Sequence, residues 1–360
     1  MIDVPVQLGA RSYHILVGQG CLAQAGPELG RLKVGRKVVL VTDAAILALH
    51  GAGVTGSLAA AGFDVTTALV PEGERAKTLE VAASTWERFL EAGLDRSSTV
   101  VALGGGAVGD LAGFAAATYM RGVNFVQMPT TLLAQVDASI GGKTAIDHPR
   151  AKNLIGAFYQ PRLVLADTST LLTLPERELR SGLAEVIKHG IVLDAAYFDE
   201  VERDAAALIK REPATLERIV AGSCRLKGSV VERDEQEALL RHVLNYGHTV
   251  GHAIEAVTGY ERFAHGEAVS LGIAAEAGIA ERMGLAKPEV RARQIRLLEA
   301  VGLPVRRVGE TPERVVEALS RDKKAKDGRV PFVLAPEIGS FRLVFDVPRT
   351  IVLEALADLA

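Results

Sequence analysis

Hydrophobic positions in the first half of the chain fall into short runs separated by longer stretches of helical spacing. Residues 3–8 and 12–17 alternate apolar and polar on either side of Gly9, the pattern of an antiparallel hairpin. Residues 37–41, 64–70, 99–103, 123–128 and 163–166 are apolar runs, and Ala- and Leu-rich stretches at 44–61, 78–92 and 107–118 separate the earlier ones. Strand, helix and strand in repetition predict right-handed crossovers and a mainly parallel sheet. From residue 175 the period changes. Residues 176–210, 213–232, 239–257, 266–283 and 288–301 read as helices with few β-branched runs between them. A late pair, 330–334 and 341–345, flanks Pro336 and Gly339 as a hairpin would, and a terminal helix follows. The expected fold is α/β: a mainly parallel-sheet domain over 1–170, then a helix-rich domain over 171–360. The functional site is expected in the cleft between them.

A chain of 360 residues exceeds one ordinary domain, and 48% hydrophobic against 24% charged residues supplies two cores. A formal net charge of −3 provides no bulk attraction to nucleic acid or an anionic membrane, so an anionic ligand needs a local cluster of Lys and Arg. Cys21 and Cys224 are too far apart in sequence to suggest a disulfide framework or a zinc knuckle. The start, Met-Ile-Asp-Val-Pro, lacks a basic segment followed by an apolar run, and no stretch nears the ~18 apolar residues of a membrane span. A cytoplasmic protein is expected.

Gly104-Gly105-Gly106-Ala107-Val108-Gly109-Asp110 follows one predicted strand and opens a helix. Glycines there let the backbone approach a pyrophosphate, and the helix start offers free N–H groups. The ordinary dinucleotide fingerprint sits on the first strand and has an acid ~20 residues later. Here Gln127-Met128-Pro129-Thr130-Thr131 occupies that window, and Asp43, after the run 37–41, is the better ribose candidate. The loop reads either as a phosphate-binding turn or as a plain strand-to-helix turn.

Gly247-His248-Thr249-Val250-Gly251-His252 places two imidazoles at i and i+4 of a helix. His265-Gly266-Glu267 starts the next one, and in Ala184-Glu185-Val186-Ile187-Lys188-His189 a carboxylate interrupts an apolar helix. One carboxylate with two imidazoles is a catalytic zinc ligand set, and other divalent metals accept the same donors. Such histidines can also be surface or capping residues. Yet half of the eight (His242, His248, His252 and His265) fall within 24 positions. Spacing alone makes both His248 and His252 ligands and does not say which, if either, is spared for proton transfer.

Arg121, Lys143, Lys152, Lys188, Lys227 and Arg241 interrupt apolar or glycine-rich stretches. Each alone reads as a solvated charge; together they point to an anionic substrate. Ile140-Gly141-Gly142-Lys143-Thr144 lacks the full Walker spacing, which argues against ATP. Arg241 lies four positions before Asn245 and seven before His248, so a continuous helix would turn all three to one side. The bland alternative is a surface pair with Glu237 at i−4, worth only ~0.3–0.5 kcal/mol.

Taken together these segments resemble the 3-dehydroquinate synthases, a family of sugar-phosphate cyclases. The resemblance rests on the glycine loop 104–110, on Gln135-Val136-Asp137-Ala138-Ser139-Ile140-Gly141-Gly142-Lys143-Thr144 and on Lys152-Asn153-Leu154-Ile155-Gly156-Ala157-Phe158. Ala184–Lys188, Leu244-Asn245-Tyr246 with the histidine motif, and His265-Gly266-Glu267 continue it in the family's order over nearly the whole chain. Tyr246, where the family often has Phe, is a mild departure. The resemblance implies that zinc, or cobalt in its place, is held by Glu185, His248 and His265, which leaves His252 for substrate and proton chemistry. It implies NAD on Asp43, Glu74, Lys77, Gly105, Gly106, Asp110, Thr130, Thr131 and Lys152. Substrate would meet Asp137, Lys143, Asn153, Lys188, Lys227, Glu237, Arg241, Asn245 and His252, joined by Lys323 or Lys324. Arg121 is expected to reach across a homodimer interface.

The implied reaction turns 3-deoxy-D-arabino-heptulosonate 7-phosphate into 3-dehydroquinate. NAD transiently oxidises carbon 5, phosphate is eliminated, the hydride returns, and the opened ring recloses as an aldol. Another sugar-phosphate cyclase, or a metal-dependent polyol dehydrogenase of the same fold, is the alternative; a catalytically inactive NAD-binding regulator is a third.

Overall fold

The computed structural model describes residues 1–306, 308–320 and 331–359. The chain divides into two compact units, Met1–Leu174 with Leu216–Glu232, and Pro175–Thr215 with Arg233–Ala360.

In the first unit, β1 (Ile2–Val6) and β2 (Tyr13–Gly18) pair antiparallel around a short turn at Gly9–Arg11. Then come β3 (Lys37–Thr42), β4 (Asp64–Leu69), β5 (Thr99–Gly104) and β6 (Asn124–Pro129). β7 (Lys143–His148) and β8 (Ala151–Phe158) form a separate antiparallel ribbon, which periodicity did not reveal, and β9 (Leu163–Asp167) returns to the sheet. The strand order is β1-β2-β9-β6-β5-β3-β4, with every neighbouring pair parallel except β1–β2. The mainly parallel α/β architecture is therefore as expected.

The crossovers use α1 (Ala25–Arg31), α2 (Ala44–Ile46), α3 (Ala52–Ala60), α4 (Leu79–Glu91) and α5 (Gly106–Thr118). A widened turn at Leu47–Gly51 separates α2 from α3, so the stretch 44–61 is not one regular helix. Side chains alternate across a strand, and β3 uses both faces. Val38 and Leu40 join Leu29 and Leu58 on one side, while Val39 and Val41 join Phe89, Leu111 and Phe125 on the other. Each such burial contributes about 1.5–3 kcal/mol, which clamps the sheet between two helical layers.

The second unit opens with α6 (Glu176–Leu193) and α7 (Ala195–Ile209). The single helix expected over 176–210 is broken at Asp194, whose extended backbone and side chain cap α7 through Tyr197 N (2.9 Å). α8 (Pro213–Arg233) follows, and from Leu216 it groups with the first unit. Cys224 Sγ meets Gln135 O at 3.4 Å, Lys227 Nζ donates to Asp137 O at 2.7 Å, and Gln7 N donates to Glu232 at 2.6 Å. A single division at 170 omits this return.

The helix expected over 239–257 is also interrupted. Leu240–Asn245 is a tight 3₁₀ segment, Gly247 has φ +77°, and α9 (His248–Val257) begins only there. Arg241, Asn245 and His248 therefore do not share one helical face. α10 (His265–Arg282) is buried almost throughout, and α11 (Pro288–Ala300) and α12 (Pro312–Ser320) follow; the last was not anticipated. β10 (Phe332–Leu334) and β11 (Arg342–Val344) make the expected late hairpin before α13 (Arg349–Ala357). Lys323, Lys324 and Val330 lie outside the described residues. No described helix is long and apolar enough to cross a membrane.

Candidate metal centre and ligand-binding residues

α9 and α10 touch backbone to backbone. A Cβ on Gly272 would stand 1.8 Å from Gly247 O, so a glycine is required at that crossing. α6 meets the start of α10 in the same way, with Ser181 Oγ accepting from Gly266 N at 2.9 Å. The contacts bring Glu185 from α6 together with the first residues of α9 and α10, His248 and His265. Glu185 Oε1 lies 3.4 Å from His248 Nε2 and 3.5 Å from His265 Nε2. One ligand atom from each residue falls within 4.8 Å of the others.

The far side of each ring is occupied. His248 Nδ1 lies 3.1 Å from Tyr246 O, and His265 Nδ1 lies 3.2 Å from Glu255 Oε1. Both oxygens only accept, so Nδ1 carries a proton in each ring, and it is Nε2 that faces Glu185 as the atom left to ligate once the ring is neutral. Glu185 is 0% exposed; its Oε2 contacts Lys188 Nζ, and neither carboxylate oxygen receives a properly directed hydrogen bond. One carboxylate oxygen and two imidazole nitrogens gathered in this way are a donor set that fits a divalent cation.

Electrostatics point the same way. Burial pushes Glu185 up, but Lys188 and the two histidines hold it well below the carboxylate range. Burial holds His248 well below the usual imidazole value, which keeps it neutral as a ligand must be. Burial also opposes charge on His265, yet the neighbouring Glu185 and Glu255 carboxylates push it up to about 10. In the metal-free chain His265 therefore carries a positive charge that a metal would displace, releasing a proton. His252, one turn beyond His248, lies outside this triad, with its ring 5.4 Å from that of His248 and 6.3 Å from that of His265.

The substrate candidates of this unit lie close by in the chain. Lys188 is buried beside Glu185, and Asn245 Nδ2 is 3.3 Å from His242 Nδ1. Arg241 is 1% exposed and donates from Nη1 to Glu235 O (2.8 Å). The loop before it is gathered by Asp234, which accepts from the N–H of Ala238 (2.7 Å), Leu239 (2.8 Å) and Arg241 (3.0 Å). Glu237 sits in that loop at φ +58°. The i−4 pairing that would make Arg241 a surface residue has no helix to support it.

In the first unit the glycine loop leaves β5 beside the end of β6, because Gly104 pairs with Pro129. Gly105 and Gly106 thus emerge next to Thr130 and Thr131, outside the carboxyl ends of parallel strands, where such sheets bind ligands. Asp43 ends neighbouring β3, is 7% exposed and caps α2 through Ile46 N (2.9 Å). Lys77, 3% exposed, donates to Asp110 Oδ2 at 2.7 Å, contacts Asn153 Oδ1 and lies 4.0 Å from Glu74, as does the exposed Lys152. Burial pushes Asp110 up to about 6 although the Lys77 ammonium opposes it. Lys227 Nζ pairs with Asp137 Oδ1 at 2.6 Å. Lys143, at the start of β7, and Arg121, at φ +66°, are exposed. Sequence reasoning missed Asp234, Glu255 and Glu276; only Glu276, a lone carboxylate inside an apolar helix, carried a readable signal.

Comparison with known proteins places these features. Residues 67–181 match the 3-dehydroquinate synthase N-terminal model and residues 182–325 the C-terminal one. The chain is 52% identical over 358 residues to a 3-dehydroquinate synthase of Pelotomaculum thermopropionicum, covering 99% of this chain and 96% of that protein. Among solved structures it resembles a 2-epi-5-epi-valiolone synthase of Streptomyces hygroscopicus with NAD+ and Zn2+ bound (TM-score 0.89, 28% identity, 100% and 99% of the chains). It also resembles a 2-deoxy-scyllo-inosose synthase complexed with carbaglucose-6-phosphate, NAD+ and Co2+ (TM-score 0.90, 27% identity, 100% of both chains). A helical unit that gathers Glu185, His248 and His265 and a sheet unit that presents a glycine loop are thus joined in a chain that belongs to the 3-dehydroquinate synthase family.

Proposed function

We propose that this chain is a 3-dehydroquinate synthase, a carbon–oxygen lyase that converts 3-deoxy-D-arabino-heptulosonate 7-phosphate into 3-dehydroquinate and phosphate. The carrying observation is the convergence of three donor atoms, on Glu185, His248 and His265, with both Nδ1 atoms already engaged. Those residues hold the divalent metal, and Asp43, Glu74, Lys77, Gly105, Gly106, Asp110, Thr130, Thr131 and Lys152 hold NAD. When bound, the metal supplies Lewis acidity at the oxidised carbinol and NAD a reversible hydride acceptor.

The side chains do the rest. Arg241 offers a planar fork to the substrate carboxylate. Lys143, Lys188, Lys227 and Asn153 neutralise or orient the remaining oxygens, and Asp137 holds Lys227 in position. His252 moves a proton, with Glu237 and Asn245 steadying the substrate. We assign Arg121 to a homodimer contact; sedimentation at the monomer mass would overturn that pairing.

The test is to mix pure protein, catalytic NAD, Zn2+ and the heptulosonate phosphate. Phosphate should be released with no accumulation of NADH absorbance. One NADH per turnover would mean a polyol dehydrogenase, and no turnover of this substrate would mean a different cyclase.

NAD affinity should also depend on pH. Asp110 has its folded value raised from 3.8 to about 6. Its burial as an anion therefore costs stability above pH 6, and the cost is relieved as pH falls from 6 towards 3.8. Over the same window the ion pair that fixes Lys77 is lost. NAD binding should weaken as pH drops through about 6, and Asp110→Asn should flatten the titration. An unchanged profile in that variant would remove Asp110 from the NAD site.

A further inference from the structure

His248 and His265 are the first residues of α9 and α10. Whether their nitrogens meet depends on how those two helix starts are set against each other. Four N–H groups open any helix without intrahelical partners, and leaving them unmatched in a buried place is costly. Gly247 offers α9 no side-chain cap. Nor could another residue replace it, since φ is +77° and a Cβ would lie 2.6 Å from Ile273 Cγ1 and 2.8 Å from Val269 O. The acceptor comes from α10 instead. Glu276, three turns after His265 and 0% exposed, accepts from Gly247 N at 2.7 Å and from Val250 N at 3.3 Å. Its two oxygens thus bracket His248, and its charge sits at the positive end of α9.

We propose that Glu276 is a positioning residue for the metal centre, a cap supplied by one ligand-bearing helix to the other that sets His248 in register with His265. The proposal rests on the metal reading of Glu185, His248 and His265. It goes beyond that reading by assigning a share of the metal affinity to a side chain that does not touch the metal.

The full chain should be prepared with Glu276→Gln, and Zn2+ affinity measured by chelator competition beside the visible spectrum of the Co2+-loaded protein. The expected result is a ~10–100-fold loss of affinity, the range for residues that orient ligands, together with an altered cobalt spectrum. Val201→Ala, at a buried position of α7, controls for lost stability and should leave both readouts unchanged. A folded Glu276→Gln protein with wild-type affinity and spectrum overturns the proposal, as does an equal affinity loss in Val201→Ala. If the glutamine variant fails to fold, Glu276→Asp, which keeps the charge but shortens the reach, is read by the same two measurements. Failure of the metal reading looks different: the wild-type chain itself would bind no metal, or Glu185→Ala would bind it normally.

Discussion

Replacing His265 with alanine is expected to abolish turnover and to weaken metal binding by more than the ~10–100-fold that losing an orienting residue costs. The reason lies in the geometry around Glu185. Its Oε1 faces two imidazole nitrogens at 3.4 and 3.5 Å, and removing one leaves two protein donors where a catalytic site uses three. Glu255 would lose the ring it orients at the same time. Competition with a chelator measures the affinity, and excess Zn2+ or Co2+ should restore only part of the rate. Full activity of the wild-type chain in a rigorously metal-free preparation would sink the metal assignment altogether.

Arg241→Ala should lower kcat/KM at least ~100-fold, because losing one partner of a desolvated charge pair costs about 3 kcal/mol or more. Arg241 is 1% exposed, and the Asp234 loop holds its backbone while Glu235 O holds its guanidinium. Asp234 is an anionic neighbour of this buried charge, and on the proposed reading the substrate carboxylate adds a second one that the variant would lose. A substrate analogue lacking the carboxylate should lose comparably with the native enzyme, and the two losses should not add. Near-wild-type kinetics for the variant would shift the substrate assignment to a carboxylate-free sugar phosphate.

Much of the first unit was legible because parallel strands buried on both faces read as unbroken apolar runs, as at 37–41 and 99–103. β8 was not, since all of its residues are exposed or half-exposed and no alternation marks it. The kinds of residue in the candidate metal centre were readable: a carboxylate in an apolar helix and a cluster of histidines. Their register was not. The spacing of His248 and His252 suits a helix that runs through both, but it does not reveal that the helix starts at His248, against a glycine whose φ is positive. Arg241 shows the same limit, because its placement depends on Asp234 and a non-helical loop rather than on any period.

The return of α8 bears on how the protein is made. The first unit needs residues 216–232 for completion, so a ribosome that has released residue 174 has not yet delivered all of that unit. At ~5–20 residues per second, synthesis from residue 175 to residue 232 delays closure by roughly three to twelve seconds. Until then the surfaces around Gln135 and Asp137 lack Cys224 and Lys227, and the nascent chain exposes there an apolar and charged seam within reach of chaperones. The two units therefore cannot mature strictly one after the other during synthesis.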